Sequence, residues 1–347
     1  MKIGIAGFPG SGKTTIFNAL TGQHADVGLG TSSGKSNLGM IKVPDARVDA
    51  LSELFSPRKT TYAEIAFVDF PDPPGESTRL DEKVITQMRE VDALAHAVRA
   101  FDDPAQPAPD PLRDLESFRT ELVIADLAIV ERRCERLAKE KGKERERELM
   151  ERIRKALDAG QEIRRLGCGE EDEAALAGYG FLTQKPRLVV LNVNESRVAA
   201  PVEPAIADAL AQDDLQVVVV SGKVEMELAD LDPADRRQFE ADLGLEESAR
   251  DRFVQASYRL MRLMSFLTAG EDEVRAWTIR RGESALRAAG KIHSDIARGF
   301  IRAEVIPYAD LVELGSEAKC RAAGKLRLEG KDYVVADGDV VHFRFNV

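Results

Sequence analysis

The sequence predicts an α/β fold with a mainly parallel sheet, an inserted helical hairpin and a smaller C-terminal domain of mixed helices and strands. Three observations lead to this prediction. Short apolar runs alternate with helical patterns, a long charged stretch with helical periodicity interrupts them, and the pattern changes again after residue 273. Strands that alternate with helices indicate a parallel sheet, which binds ligands at the carboxyl ends of its strands.

The apolar runs give the elements of the sheet in chain order. Strands are predicted over residues 3–6, 38–43, 65–70, 93–100, 188–191 and 217–220, with a helix over residues 13–21. The inserted hairpin is predicted over residues 114–160, where Leu115, Phe118 and Leu122 begin a helical stripe and Gly142 suits the turn. The C-terminal domain is predicted to contain strands over residues 274–279, 300–306 and 340–345 and a helix over residues 286–292.

These elements group into three predicted domains. Residues 1–113 and 183–272 form the sheet domain, residues 114–182 the helical insertion, and residues 273–347 the C-terminal domain. Within the insertion, residues 131–155 hold 11 Lys or Arg and 7 Glu, a net charge of +4. This stretch fits either a solvated hairpin held by ion pairs one turn apart or an arm that binds a partner, and the sequence leaves both open.

The composition argues against several classes of protein. The 347 residues carry a net charge of −11, unlike a wholly basic protein that coats nucleic acid. The three cysteines are widely spaced without a CxxC pair, so neither a disulfide framework nor a zinc site is expected. No targeting segment is visible, and no run approaches the roughly 20 apolar residues that span a membrane. We therefore expect a cytoplasmic protein with no membrane partner.

The segment Gly7–Thr14 matches the pattern GxxxxGK[ST] in full, between a predicted strand and a predicted helix. Its glycines let backbone N–H groups approach phosphate oxygens, and the helix N-terminus adds partial positive charge. Lys13 is predicted to reach the β- and γ-phosphates and Thr14 to coordinate Mg²⁺, so these two are the predicted catalytic residues. The predicted phosphate cradle consists of Gly7, Gly10, Ser11, Gly12, Lys13, Thr14 and Thr15. A nucleoside triphosphate with Mg²⁺ is therefore the predicted ligand.

Further polar residues follow other predicted strands. Asp69 is predicted to hold Mg²⁺ through water, with a strand-end Asp that caps a turn as the alternative. The segments Asn192–Glu195 and Ser221–Lys223 have the positions of the fourth and fifth motifs of GTPase domains, although Asn-rich strand ends are also common turn formers. The predicted base-binding residues are Asn192, Val193, Glu195, Ser221, Gly222 and Lys223.

With these motifs the chain resembles the YchF-type (Obg-like) ATPases, a branch of the Obg-related P-loop proteins. Asn192 and Glu195 form NxxE where GTPases carry NKxD, and in that family NxxE goes with a preference for ATP. The resemblance covers nearly the whole chain. It rests further on Val43–Arg47, Arg89–Ala93, Arg113–Glu116, Ala288–Asp295, Gly299–Glu304 and Ala323–Tyr333.

The resemblance implies a G-type nucleotide domain, a helical arm and a C-terminal TGS domain, which is a ubiquitin-like β-grasp module. It also implies slow ATP hydrolysis, weaker binding of GTP, and association with the ribosome, a ribosomal subunit or rRNA through the arm and the TGS domain. We expect a monomer that acts as a ribosome-associated switch. Two alternatives stay open: a nucleotide-binding scaffold that barely hydrolyses, and a GTPase of the same fold.

Three positions depart from the family pattern. Asp72 replaces the Gly of DxxG after Asp69; a γ-phosphate would repel its carboxylate, so the loop is expected to point Asp72 away or to use another residue. Ser33 replaces a Thr that coordinates Mg²⁺; either its hydroxyl binds the metal or residues 28–36 form a loop without a ligand role. Pro9–Ser11 replaces the usual Asn-Val pair, so any contact from that Asn is lost. These changes affect γ-phosphate sensing and hydrolysis rather than binding.

Overall fold

The structure is a computed structural model that describes residues 1–25, 36–72, 80–229, 231–245 and 247–346. Its strands are β1 Lys2–Ala6, β2 Asn37–Lys42, β3 Lys59–Thr61, β4 Glu64–Asp69, β5 Ala93–Ala100, β6 Arg187–Val193, β7 Gln216–Val220, β8 Leu263–Thr268, β9 Glu273–Arg280, β10 Phe300–Pro307, β11 Arg327–Glu329 and β12 Asp339–Phe345. Its helices are α1 Lys13–Thr21, α2 Ala46–Phe55, α3 Glu82–Met88, α4 Pro111–Leu137, α5 Glu144–Asp158, α6 Glu170–Leu176, α7 Pro204–Gln212, α8 Gly222–Ala229, α9 Pro233–Asp242, α10 Ala249–Leu260, α11 Ala285–Ile292, α12 Ser294–Arg298, α13 Tyr308–Leu314 and α14 Glu317–Ala322. Short 3-10 helices lie at Ile163–Arg165 and Glu195–Arg197.

The chain forms two compact units. The first contains Met1–Met40 and Ala66–Ala256, and the second contains Ile41–Ile65 and Ser257–Val347. Within the described ranges, no helix is both long enough and apolar enough to cross a membrane.

The sheet of the first unit has six strands in the order β2-β4-β1-β5-β6-β7. Strand β1 pairs in parallel with β4 and β5, and the pairs β5-β6 and β6-β7 are also parallel. Strands β5 and β6 are buried along their whole length, which explains their continuous apolar runs. The predicted α/β fold with a mainly parallel sheet is confirmed. The carboxyl ends of these strands share one edge of the sheet, where the phosphate loop, Asp69 and Asn192 lie.

Helices α4 and α5 correspond to the predicted hairpin. Asp110 caps the start of α4, because its carboxylate accepts a hydrogen bond from the Arg113 N–H at 3.1 Å. Arg133 forms ion pairs with Glu140 at 2.9 Å and with Glu146 of α5 at 2.8 Å. The apolar residues of the hairpin core include Val130, Leu137, Leu149, Ile153 and Leu157.

The base of this hairpin is held by Asp126, whose side chain is fully buried. Its carboxylate accepts hydrogen bonds from the backbone N–H groups of Leu182 and Thr183 at 3.1 and 2.7 Å. The Thr183 hydroxyl donates a further bond at 2.8 Å, and Arg89 forms an ion pair at 2.7 Å. Asp126 therefore joins α4 to the end of α3 and to the chain that leaves the insertion.

The sheet of the second unit is mixed, with the order β11-β10-β12-β8-β9-β3. Strand β10 is antiparallel to β11 and β12, β8 is antiparallel to β9, and β12 and β8 are parallel. Helix α11 contributes three alanines to a core with the sheet. The core residues include Phe266, Ala285, Ala288, Ala289, Val305, Val341 and Phe343.

The second unit differs in extent from the predicted C-terminal domain, which was expected to begin at residue 273. Strand β8 lies in its sheet, and β3 pairs in parallel with β9 although residues 41–65 were expected in the sheet domain. The segment Lys59–Thr61 is polar, so hydrophobic periodicity does not reveal it as a strand. Arg47 also belongs to this unit, where its guanidinium pairs with Asp337 at 2.9 Å.

Candidate phosphate-binding site

The loop Gly7–Thr14 joins β1 to α1 at the carboxyl edge of the first sheet. Gly10 and Gly12 have φ angles of +75° and +85°, which glycine adopts without strain. A Cβ on Gly12 would lie 2.3 Å from Asn192 Nδ2, so a larger residue would displace that side chain. The result is a tight turn ahead of a helix N-terminus, an arrangement in which backbone N–H groups bind phosphate.

The side chain of Lys13 is buried in this loop, with 4% of its surface exposed. Its ammonium donates a hydrogen bond to the carbonyl oxygen of Phe8 at 3.0 Å and forms an ion pair with Asp72 Oδ1 at 2.5 Å. The ammonium therefore lies over the turn, where this lysine contacts the outer phosphates of a nucleotide in P-loop proteins.

From repulsion by a γ-phosphate, the loop was expected to point Asp72 away or to use another residue. The structure instead directs Asp72 into the site, next to Lys13. Its attraction to the Lys13 ammonium explains this geometry, because a charge-assisted hydrogen bond is stronger than a neutral one. A phosphate group bound in this loop would therefore compete with Asp72 for the same cation.

Asp69, at the end of β4, is also buried, with 2% of its surface exposed. Its Oδ2 accepts hydrogen bonds from Thr14 Oγ1 at 2.9 Å and from Asn37 Nδ2 at 3.2 Å. Burial raises the pKa of Asp69, while these hydrogen bonds and the positive charge of Lys13 oppose the rise. Among the described residues, Oδ1 has no hydrogen-bond partner.

This arrangement fits a hard divalent cation. A buried carboxylate oxygen without a partner, next to a hydroxyl, offers the oxygen ligands that Mg²⁺ takes. The described parts of the chain contain no group of three His, Cys, Asp or Glu that could hold a metal, so a cation here would keep several waters, as Mg²⁺ does. Ser33, the third predicted metal ligand, lies outside the described residues. The metal-binding roles of Thr14, Asp69 and Ser33 stay predictions.

Asn192, at the end of β6, links the loop to the start of α8. Its Nδ2 donates a hydrogen bond to the carbonyl oxygen of Ser11 at 3.1 Å, and its Oδ1 accepts one from the Gly222 N–H at 3.0 Å. The carboxamide therefore holds the phosphate loop in place. The Asn192 carboxamide keeps one N–H and one oxygen lone pair that could bind a base. Its predicted contact with the base stays a prediction.

The other residues predicted to bind the base have different surroundings. Val193 is buried in β6, and Ser221 is buried with a hydroxyl that has no partner within the described chain. Glu195 is exposed at the start of a 3-10 helix, and Lys223 is exposed with its ammonium 3.9 Å from Glu227. The structure brings together Ser11, Thr15, Asn192 and Gly222. It leaves Glu195 and Lys223 at the surface.

The sequence analysis missed two contributors to this site. Asn37, at the start of β2, donates to Asp69. The segment that follows β5 lies against the loop, with the side chain of Gln106 close to Gly10. The segment with Gln106 could have been predicted from the rule that the carboxyl ends of parallel strands meet at one edge of the sheet. No local sequence pattern indicates the role of Asn37.

A parallel sheet, a GxxxxGK[ST] loop between β1 and α1, and a strand-end Asp bonded to the loop Thr define a P-loop domain of the GTPase type. Two family profiles agree with this class. One, described as "50S ribosome-binding GTPase", matches residues 2–131. The other is a profile for the C-terminal region of YchF GTPases, described as "Protein of unknown function (DUF933)", and it matches residues 263–346.

The chain belongs to the YchF family. It is 40% identical over 364 residues to the "Ribosome-binding ATPase YchF" of Bacillus subtilis (strain 168), and the match covers all of both chains. It is also 40% identical to the protein of that name from Haemophilus influenzae, with 100% of this chain and 99% of the relative covered. The structure of the Schizosaccharomyces pombe YchF GTPase superposes with a TM-score of 0.87 at 29% identity, covering 99% of this chain and 97% of that one.

Proposed function

We propose that this chain binds a nucleoside triphosphate with Mg²⁺ in the Gly7–Thr14 loop, prefers ATP to GTP and hydrolyses it slowly. The observation that supports this proposal is the pair of buried opposite charges beside the loop, on Lys13 and Asp69. The buried Lys13 ammonium lies over the turn, and the buried Asp69 carboxylate accepts a hydrogen bond from Thr14. The relatives named ATPases support the choice of nucleotide.

Each residue has a separate task in this proposal. Lys13 binds the β- and γ-phosphates, and the loop N–H groups bind the phosphate oxygens. Thr14 and Asp69 would hold Mg²⁺, with Ser33 as a further proposed ligand. When bound, the ion supplies positive charge that offsets the negative charge on the phosphate oxygens. The preference for ATP rests on the Asn192–Glu195 motif, and competition of GTP against ATP tests it.

Calorimetry with ATP and Mg²⁺ tests the binding step. We expect the wild type to bind and Lys13→Ala to lose at least about tenfold in affinity, because the ammonium makes charge-assisted bonds worth roughly 1.5–3 kcal/mol. The exposed Lys83→Ala on α3 is the matched control and should bind as the wild type does. Failure of the wild type to take up either ATP or GTP would contradict the proposal.

A hydrolysis-impaired scaffold is the second candidate. Asp72 favours it, because a carboxylate stands at the Gly position of DxxG and pairs with the catalytic lysine. Single-turnover experiments separate the two candidates. Phosphate released over minutes, and not released by Lys13→Ala, supports the ATPase, whereas bound ATP that stays intact for hours supports the scaffold.

We further propose that the protein is a cytoplasmic monomer that associates with ribosomes or their subunits. The names of the relatives and the positive arm support this proposal. Lys139, Lys141 and Lys143 are exposed at the end of the hairpin. Co-sedimentation with ribosomes at about 0.1 M salt, where the Debye length is about 10 Å, should weaken in the Lys139→Glu/Lys141→Glu variant. Unchanged sedimentation of that variant would exclude the arm as the contact.

A further inference from the structure

The carboxamide of Gln106 lies directly on the phosphate loop. A Cβ added to Gly10 would lie 2.4 Å from Gln106 Oε1 and 2.6 Å from Nε2. These distances are shorter than real side-chain contacts, so the carboxamide occupies the space that a side chain at position 10 would need. Gln106 reaches this place because it follows β5, the neighbour of β1 in the sheet.

Asp103 holds the carboxamide in position. Gln106 Nε2 donates a hydrogen bond to Asp103 Oδ2 at 2.8 Å, and the Gln106 backbone N–H donates to the Asp103 carbonyl oxygen at 3.0 Å. The Ala105 N–H donates to the other carboxylate oxygen at 2.9 Å. Hydrogen bonds from Ala105 and Gln106 lower the pKa of Asp103, which keeps the carboxylate ionised. Because a carboxylate only accepts, Nε2 must be the atom that faces Asp103, and its second N–H is left for another acceptor.

The outer phosphates of a bound nucleotide would lie on the same side of the loop. Lys13, which contacts the β- and γ-phosphates in P-loop proteins, donates to the carbonyl oxygen of Phe8. The turn from Phe8 to Gly10 would then flank the outer phosphates, and the Gln106 carboxamide beside Gly10 would lie next to them.

We propose that Gln106 Nε2 donates a hydrogen bond to the terminal phosphate of a nucleoside triphosphate bound in this loop. The residue would then help the site to distinguish a triphosphate from a diphosphate. This inference rests on the proposed nucleotide binding. It also explains why position 10 is a glycine, because a side chain there would take the space that the Gln106 carboxamide occupies.

Calorimetry with ADP and with a non-hydrolysable ATP analogue, both with Mg²⁺, tests the proposal. Gln106→Ala should lose about ten- to a hundredfold in affinity for the triphosphate, as expected for a hydrogen bond to a charged group, and remain within about twofold for ADP. Gln106→Glu should lose more, because its carboxylate repels the phosphate. The exposed Gln212→Ala on α7 is the matched control and should bind both nucleotides as the wild type does.

The outcomes separate this inference from the proposed function. A wild type that binds neither nucleotide contradicts the proposed function itself. A wild type that binds both, with an unchanged ratio of affinities in Gln106→Ala, overturns only the role of Gln106. Asp103→Asn gives a further check, since a carboxamide that has lost its anchor should show a smaller loss specific to the triphosphate. An equal loss for both nucleotides in these variants would indicate a structural role and overturn the inference.

Discussion

At the scale of single residues, the phosphate loop is a place where opposite charges are buried together. The Lys13 ammonium has Asp72 as its ion-pair partner, and Asp69 lies close enough for Lys13 to oppose the rise in its pKa. A triphosphate brings more negative charge to the same cation. The carboxylate of Asp72 must therefore give way or be repelled when a phosphate group binds Lys13.

Replacing Asp72 by Asn should strengthen nucleotide binding. The neutral amide keeps the shape of the side chain but neither competes for Lys13 nor repels phosphate. We expect affinity for ATP to rise by up to about tenfold, equivalent to roughly 1.4 kcal/mol, measured by calorimetry at about 0.1 M salt. Asp208→Asn, at an exposed position on α7, controls for the change in net charge. Weaker binding by Asp72→Asn would mean that the carboxylate assists the nucleotide.

Glu225 of α8 makes stability depend on pH. Burial raises its pKa to about 7 and Glu240 adds to the rise, whereas Arg252, Arg236 and a backbone N–H from Ala249 oppose it. The unfolded chain releases this proton near pH 4.3, so between about pH 4.3 and 7 only the folded state holds it. The free energy of unfolding therefore falls as pH rises through this window, by about 4 kcal/mol in total, and levels off above pH 7.

The variant Glu225→Gln should lose this dependence, because Gln keeps the shape but carries no titrating proton. Urea unfolding of both proteins at pH 5, 6 and 8 measures the effect. The difference in unfolding free energy between variant and wild type should grow in favour of the variant from pH 5 to pH 8. A constant difference across these pH values would show that Glu225 titrates normally.

At the scale of elements, the sequence predicted the strands and helices whose hydrophobic pattern lies within the element itself. The runs that form β5 and β6 are apolar throughout because both faces of the sheet are covered, and the arm has a regular helical stripe. The polar strand β3 lacks such a signal, because its place is set by pairing with β9, more than 200 residues away in the chain. The site divides in the same way: Lys13 and Thr14 lie within one motif, whereas Asp72 and Gln106 reach the loop from other segments.

The arm should depend on Asp126 at its base. Asp126→Asn removes the charge that pairs with Arg89 and replaces an acceptor that receives two backbone N–H groups and a hydroxyl. We expect the free energy of unfolding to fall by about 3 kcal/mol, since removal of one partner leaves a poorly compensated buried charge. Urea denaturation measures the loss, and hydrogen exchange should locate it at the start of the arm.

The exposed Asp158→Asn at the end of α5 is the control for this variant and should change stability by less than about 0.5 kcal/mol. An Asp126→Asn protein as stable as that control would mean that packing, rather than the hydrogen-bonded carboxylate, holds the base of the arm.

At the scale of the whole molecule, similarity to YchF proteins extends over the full chain, although the chain folds as two compact units. The second unit combines residues 41–65 with residues 257–347. The chain therefore leaves the first unit after residue 40, contributes residues 41–65 to the second, and returns to the first at residue 66. Arg47 and Arg281 both form ion pairs with Asp337 in this unit, which joins its early segment to its late one. The N-terminal segment Val43–Arg47, part of the family resemblance, thus serves the structure of the second unit rather than the phosphate site.

Nucleotide binding should stabilise the transition that unfolds the phosphate loop. A ligand that binds only the folded state at 100 times its dissociation constant adds about 2.7 kcal/mol. For a unit of roughly 150–250 residues, each kcal/mol raises the Tm by about 2–4 °C, so ATP with Mg²⁺ should raise it by about 5–10 °C. Differential scanning calorimetry measures the shift. ATP at the same concentration should raise the Tm of Lys13→Ala by no more than about half as much, because a tenfold loss of affinity leaves only about 1.4 kcal/mol of stabilisation. An equal shift in both proteins would place the bound nucleotide away from the loop, because a site that does not use the Lys13 ammonium does not sense its removal.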